Sequence, residues 1–256
     1  MTKIMGIVNV TPDSFWSGSR LQDKEELLQW VRRILSQGAD VIDVGGCSTR
    51  PDSPQATEEE EMSRLEWGLT AIRAEFPDVT LSVDTYRPRI AERCVKEWNA
   101  SIINDVYGGD SDMYDVVART GAQYVLTWAE KVVEDPVKEM NEFFRERILM
   151  MERAGIDVAH KVILDPGFGF GKKLEQNYTV LAHMDTLKAF GLPVLAGMSR
   201  KSMAYRLLGL TPADVLPATI VLDTVAVQKG ADWLRVHDVE EAAQTLKILK
   251  ALNDNR

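Results

Sequence analysis

Short, nearly continuous apolar runs recur along the chain: IMGIVNV (4–10), DVIDVGG (40–46), LSVDTY (81–86), IINDV (102–106), YVLTW (124–128), KVILDPG (161–167), PVLAGMSR (193–200) and WLRVHDV (233–239). Runs of this length without strict alternation predict strands covered on both faces. Between them the period lengthens to that of a helix. Leu27, Leu28, Val31, Ile34 and Leu35 form one apolar stripe, Met62, Leu65, Leu69 and Ile72 a second, and Met140, Phe143, Phe144, Ile148 and Met151 a third. The segments SQGAD (36–40), RTGAQ (119–123), FGLP (190–193) and QKGAD (228–232) place a glycine where a helix should end before the next strand. Eight strand–helix alternations predict an α/β fold, a (β/α)8 TIM barrel occupying residues 1–256 as a single domain.

Composition narrows the classes of function. The 256 residues suit one such barrel, and 45% apolar with 27% charged residues is a soluble globular balance. A formal net charge of −9 argues against a nucleic-acid surface. No apolar stretch approaches the roughly 18–20 residues a membrane helix needs, so no membrane partner is expected. The start, MTKIMGIVNV, lacks a signal-peptide pattern and reads as the first strand. Two cysteines, Cys47 and Cys94, argue for a reducing compartment, hence the cytoplasm, over a disulfide scaffold.

The polar residues fall at one end of every run. Asn9 closes the first and Gly45-Gly46 the second, with Ser48-Thr49-Arg50 beyond. Asp84 and Thr85 close the third, Asn104 and Asp105 the fourth, Thr127 the fifth and Asp165 the sixth. Ser199 and Lys201 follow the seventh, and Arg235 and His237 close the eighth. In a barrel of this kind the carboxyl ends of the strands carry the active site. The stretch KVILDPGFGFGK (161–172) resembles a phosphate loop but is not one. Three residues rather than four separate Gly167 from Gly171, Lys173 stands where a hydroxyl is needed, and an acid precedes the loop. Asp165 therefore belongs to the polar ring. Its carboxylate suits a heterocycle edge with adjacent N–H donors, and the following glycines are expected to keep side chains out of the ligand's way. Arg50, Arg235 and His237 are candidates for phosphate, the last two sharing one face of their strand.

Seven segments, in order and at strand ends, carry a resemblance: NVTPDSF (9–15), GGCSTRP (45–51), VDTYRP (83–88), INDV (103–106), DPGFGFGK (165–172), GMSRKS (197–202) and RVHDV (235–239). Together they resemble the dihydropteroate synthase family over nearly the whole chain. The resemblance implies Mg2+-dependent condensation of 6-hydroxymethyl-7,8-dihydropterin pyrophosphate with 4-aminobenzoate, giving 7,8-dihydropteroate and pyrophosphate. It implies that Asp165 grips the 2-amino and N3–H edge of the pterin. Asn104 and Asp84 would bond the opposite ring nitrogens, and Lys201 the carbonyl and N5. Asn9 would hold Mg2+, and Thr49, Arg50, Arg235 and His237 the phosphates. Phe170, Ser199, Arg50 and Pro51 would hold the aminobenzoate, aided by two loops at 11–20 and 47–57. Asp84 would stabilise a cationic pterin methylene, with Asp13 as a receiver of the amine proton. A homodimer through the later helices is implied as well.

The chain also departs from the family. Thr127-Trp128-Ala129 stands where a Met-His-Met run is usual, EKVVEDP (130–136) lacks the usual Gly-Thr-Pro, and Asp52 replaces a glycine. Thr127 offers a pterin less apolar contact, and Trp128 is expected to fill the vacated space. A methyltetrahydrofolate-binding methyltransferase barrel and a non-catalytic pterin-binding paralogue are the alternative readings. Other prominent residues have plain structural explanations. Thr57 and Glu60 predict a capping box under the acidic run Glu58–Glu61, Cys94 a small core residue, His160 and His183 structural or surface positions, and Arg87 and Arg89 a solvated face, Arg87 being the better placed to meet a polar rim.

Overall fold

Eight parallel strands close a barrel in the computed structural model, which describes residues 2–11, 20–47 and 56–255. The strands are β1 (Lys3–Asn9), β2 (Val41–Gly45), β3 (Leu81–Asp84), β4 (Ile102–Asp105), β5 (Gln123–Thr127), β6 (Val162–Asp165), β7 (Leu195–Ala196) and β8 (Trp233–Val236). Their order is β6-β5-β4-β3-β2-β1-β8-β7, and a parallel bridge between Leu164 and Val194 joins the two ends. Each strand lies within a residue or so of its apolar run. The exception is β7, two residues drawn from a run of eight. Pro193 has no N–H to give, and the chain turns at Lys201, whose N–H bonds the Met198 carbonyl at 3.1 Å.

Helices α1 (Arg20–Gln37), α2 (Glu58–Glu75), α3 (Pro88–Trp98), α4 (Ser111–Thr120) and α5 (Pro136–Arg153) cover the first half of the barrel. The rest is covered by α6 (Val158–Lys161), α7 (Leu174–Ala182), a 3-10 segment at Met184–Phe190, α8 (Ser202–Leu208), α9 (Leu216–Gln228) and α10 (Val239–Asp254). The predicted stripes face the sheet: Leu27, Val31, Ile34, Leu65, Leu69, Ile72, Met140 and Phe144 are buried in one continuous core. Gly121 and Gly191 end their helices in the left-handed conformation, as the punctuation predicts. No helix among the described residues is long and apolar enough to cross a membrane.

A second, smaller core fills the barrel itself: Met5, Val41, Ile102, Val125, Ile163, Leu195 and Trp233. Strand alternation places every second residue inward, so the next inward layer is Ile7, Asp43, Asn104, Thr127, Asp165, Gly197 and Arg235. The barrel interior thus changes from apolar to polar within one side-chain step towards the mouth.

The acidic run does more than cap a helix. The capping box is present, with Glu60 N–H on Thr57 Oγ1 at 3.2 Å and Thr57 N–H on Glu60 Oε2 at 2.8 Å. Its neighbour Glu61 is fully buried. Glu61 accepts from the Thr85 hydroxyl at 2.7 Å and from the Arg87 guanidinium. Arg87 also donates to the Ala56 and Thr57 carbonyls, at 2.6 and 3.2 Å. The expectation of a solvated face therefore fails for Arg87 and holds for Arg89, whose side chain is 88% exposed. Burial raises the Glu61 pKa, and the Thr85 and Arg87 bonds oppose that rise. Removing a buried acid strands the cation it balances. Glu61→Ala should cost about 2–3 kcal/mol in urea unfolding. Glu58→Ala on the same helix, whose partner Arg89 lies in solvent, should change little.

Candidate active site

Parallel register builds the mouth. Asn9 pairs with Gly45, Gly45 with Asp84, and Asp84 with Asn104, so one level runs across β1 to β4. Across the barrel Thr127 pairs with Asp165. Arg235 reaches over from β8: its Nε lies 2.7 Å from Asp43 Oδ2 and an Nη 2.6 Å from Asp84 Oδ2. Asn104 Nδ2 donates to the same Asp43 oxygen at 3.1 Å. Asn9 Oδ1 faces this line, 3.2 Å from where a Cβ on Gly45 would stand. Lys201 crosses from the loop after β7 to the Phe168 carbonyl at 2.7 Å, its ammonium 4.5 Å from the Phe170 ring centre. Ser199 Oγ lies 3.0 Å from His237 Nδ1 and accepts from the His237 N–H at 3.2 Å.

Burial and charge act against each other here. Burial pushes the Asp84 carboxyl up to about 7; Arg235 opposes the shift and Asp43 adds to it. Burial also raises Asp165, against Lys201 and the Gly167 N–H. Burial lowers the Lys201 ammonium to about 8, with Asp165 pulling the other way. For Arg235 burial disfavours the charge, yet Asp43 and Asp84 outweigh it and the pKa rises. The floor is a set of charges that hold one another in place.

The ring predicted from sequence assembles, with corrections. Asn9, Asp84, Asn104, Asp165, Ser199, Lys201, Arg235 and His237 converge on one mouth, with Phe170 at its edge. Asp105 and Thr85 do not: each follows an inward residue and so points outward. Asp105 accepts from Tyr124 Oη and the Tyr107 N–H, both at 2.8 Å, and Thr85 serves Glu61. Asp13, Thr49, Arg50, Pro51 and Asp52 lie outside the described residues. Asp43 was missed, although an acid inside VIDVGG, two before Gly45, must face inward. Lys172 was missed too. Its ammonium sits 4.1 Å from the Trp128 ring centre and donates to the Trp128 carbonyl at 3.0 Å, and burial lowers its pKa to about 7. Trp128 is fully buried but faces the layer under the helices, so it does not fill the space beside Thr127 as expected.

The glycines after Asp165 do not chiefly clear the ligand's path. Gly167 has φ +64°, and a Cβ there would stand 2.0 Å from the Trp128 carbonyl oxygen; Gly171 has φ +61° and would meet that of Glu130 at 2.1 Å. They let the segment after β5 lie directly against this loop. Gly169 abuts a site side chain, with Lys201 Cδ at 3.2 Å, and Gly167 also meets Thr127 Cγ2 at 3.2 Å. A groove of about 340 Å3 between α2 and α3 lies on the outer wall. Its cations are already paired, Arg89 with Glu58 and Arg93 with Glu66, and it offers no convergent chemistry. Among the described residues no group of three or more His, Cys, Asp or Glu side chains could hold a metal.

Comparison with known proteins identifies the family. The family model for pterin binding enzymes matches residues 5–237. Dihydropteroate synthase of Escherichia coli K12 is 37% identical over 97% of this chain and 90% of its own length. That of Bacillus subtilis is 37% identical over 98% and 88%. The Xanthomonas albilineans dihydropteroate synthase solved with 4-aminobenzoic acid superposes with a TM-score of 0.91 at 37% identity, covering 98% of this chain and 93% of its own. The same enzyme in complex with 7,8-dihydropteroate gives 0.88 at 36% identity, covering 98% and 94%.

The glycine packing has a direct test. Gly167→Ala adds a clash with backbone to the strain of a left-handed conformation, and should destabilise the barrel by about 3 kcal/mol or more. Gly191→Ala at φ +66° meets nothing within 4 Å. It should cost only the conformational share, about 1–2 kcal/mol. Equal losses in urea titrations would show that contact with the Trp128 carbonyl is unimportant.

Proposed function

This chain belongs to the dihydropteroate synthases of the pterin-binding enzyme family, transferases of folate biosynthesis, and from that membership we propose how its residues divide the reaction. The substrates are dihydropterin pyrophosphate and 4-aminobenzoate. The bond from the pterin methylene to the pyrophosphate oxygen breaks, its electron pair leaves with pyrophosphate, and the amine nitrogen bonds to the methylene. Asp165 accepts from the N3–H and 2-amino donors of the ring. Asn104, whose Oδ1 is buried without a partner, and Asp84 bond the nitrogens of the opposite edge. Lys201 turns from the Phe168 carbonyl to the pterin carbonyl and N5. Asp84 stands where its charge stabilises the electron-poor methylene. Phe170 and Ser199, with Arg50 and Pro51, hold the aminobenzoate, and Asp13 receives its proton.

His237, Thr49 and Arg50 bind the pyrophosphate. Arg235 has a double duty, because two of its donor nitrogens already serve Asp43 and Asp84 and only the remainder can meet phosphate. Mg2+ fits the one oxygen that Asn9 presents at the mouth, since this ion commonly takes one or two protein ligands and completes its shell with substrate phosphates and water. When bound, it would neutralise charge on the leaving pyrophosphate. Exposed Leu207, Leu208, Leu210, Val221, Ile248 and Leu252, on and after α8 and on α9 and α10, support a homodimer through the later helices. A content of only two cysteines, Cys47 and Cys94, supports a cytoplasmic location.

One observation carries the assignment of roles: buried acceptors on β3, β4 and β6 face cations from the β7 loop and β8 across a single mouth. A protein given both substrates and Mg2+ should release pyrophosphate one for one with dihydropteroate. Absence of release in a folded sample that still binds pterin would favour the non-catalytic paralogue. Asp165→Asn turns an acceptor towards a donor edge and should weaken pterin binding in calorimetry by about 2–5 kcal/mol. His237→Ala should weaken the pyrophosphate ester by about 1.5–3 kcal/mol and spare a phosphate-free pterin. Arg235→Ala should weaken both ligands, because it also strands Asp43 and Asp84. Equal effects of His237→Ala on the two ligands would make His237 structural.

A further inference from the structure

Four of the five buried side-chain atoms without a hydrogen-bond partner among the described residues lie on the inner face of the barrel: Asp43 Oδ1, Ser82 Oγ, Asn104 Oδ1 and Thr127 Oγ1. Buried polar groups are normally paired, so a cluster of orphans beside a site marks where a polar ligand sits. Thr127 stands out in this set. Its side chain has no exposed surface, like that of Asn104 beside it on the floor, and alternation from Val125 points it inward. It is the register partner of Asp165. We propose that the Thr127 hydroxyl accepts a hydrogen bond from the 2-amino group of the bound pterin, and so helps select the 2-amino ring.

The order of groups carries the assignment, which rests on the ring orientation proposed above. Around the barrel from β7 to β3 stand Lys201, Asp165, Thr127, Asn104 and Asp84. Around the pterin from its carbonyl stand an acceptor oxygen, the N3–H donor, the two hydrogens of the 2-amino group, the N1 acceptor and the N8–H donor. Lys201 at the carbonyl and Asp165 on N3–H and one amino hydrogen leave the second amino hydrogen directed at β5. There the polar side chain is Thr127. Asn104 Oδ1 follows at the N8 edge. Apart from N1, to which no donor is assigned, the donors and acceptors on the wall then follow those on the ring in order.

Two measurements test this, using the full-length protein, 6-hydroxymethyl-7,8-dihydropterin and the same ring lacking its 2-amino group. Thr127→Val keeps the shape and removes the hydroxyl. It should weaken the aminated ring about five- to tenfold in calorimetry and leave the desamino ring unchanged. Thr127→Ser should bind the aminated ring within about threefold of the native protein, since it keeps the oxygen. In the ligand-free state Thr127→Val should raise the melting temperature by about 2–4 °C, because it removes a buried hydroxyl that has no partner. Unchanged binding of the aminated ring, or equal losses for both rings, overturns the proposal, as does a lower melting temperature. Native protein that binds neither ring would defeat the functional reading as well. Native binding that Asp165→Asn abolishes and Thr127→Val leaves intact would defeat this inference alone.

Discussion

The Arg235 guanidinium, held between Asp43 and Asp84, is the contact on which the rest of the mouth depends. A cation so deep in a barrel is tolerable only if carboxylates replace the water it loses, and the acids need the cation for the same reason. The link runs from β8 past β1 to β2 and β3, so it ties one wall of the barrel to the next but one. It also sets the depth of the site. Beneath it lies the apolar plug of Met5, Val41, Ile102, Val125, Ile163, Leu195 and Trp233. At its level and above it every strand offers a polar group. The guanidinium and the plug beneath it set how far down a ligand can come.

The other wall is held by backbone rather than by charge. Trp128 N–H bonds the Asp165 carbonyl at 2.9 Å, Val132 N–H bonds the Gly171 carbonyl at 3.2 Å, and Lys172 clasps Trp128 through both its ring and its carbonyl. With Gly167 and Gly171 allowing direct contact, the segments after β5 and β6 form one unit. Asp165 further accepts the Gly167 N–H at 2.8 Å, which fixes its carboxylate before any ligand arrives. Such preorganisation lowers the ordering cost of binding. One wall is thus set by electrostatics and the other by close backbone packing, and both aim polar groups at the same mouth.

Much of this was legible in the sequence because barrel strands follow a local rule. Eight apolar runs with polar ends give the fold, and the run ends name the ring. The errors came where a partner lies far along the chain. Arg87 resembles a surface cation until Glu61, distant in sequence, is folded beneath it. The glycines after Asp165 appear to clear space for a ligand because nothing nearby says that Trp128 and Glu130 will lie against them. Asp105 and Thr85 differ for another reason: they share a strand end with site residues, but alternation sends adjacent residues to opposite faces. The same rule, applied within a run rather than at its end, would have found Asp43.

Strand β5 shows how a departure from a family pattern is absorbed. Trp128 points away from the barrel axis into the layer under the helices, where it is fully buried and supports Lys172. Its bulk therefore bears on the packing of the β5–β6 unit and leaves the floor of the mouth untouched. Thr127 faces the other way and changes the floor itself, exchanging apolar cover for a hydroxyl. A hydroxyl buried without a partner burdens the free barrel, since it has lost water and gained nothing. Natural sequences carry such local inconsistencies mainly where function needs them. Two adjacent substitutions thus act on opposite faces of one strand: one restores volume behind the sheet, and the other alters polarity where a pterin would lie.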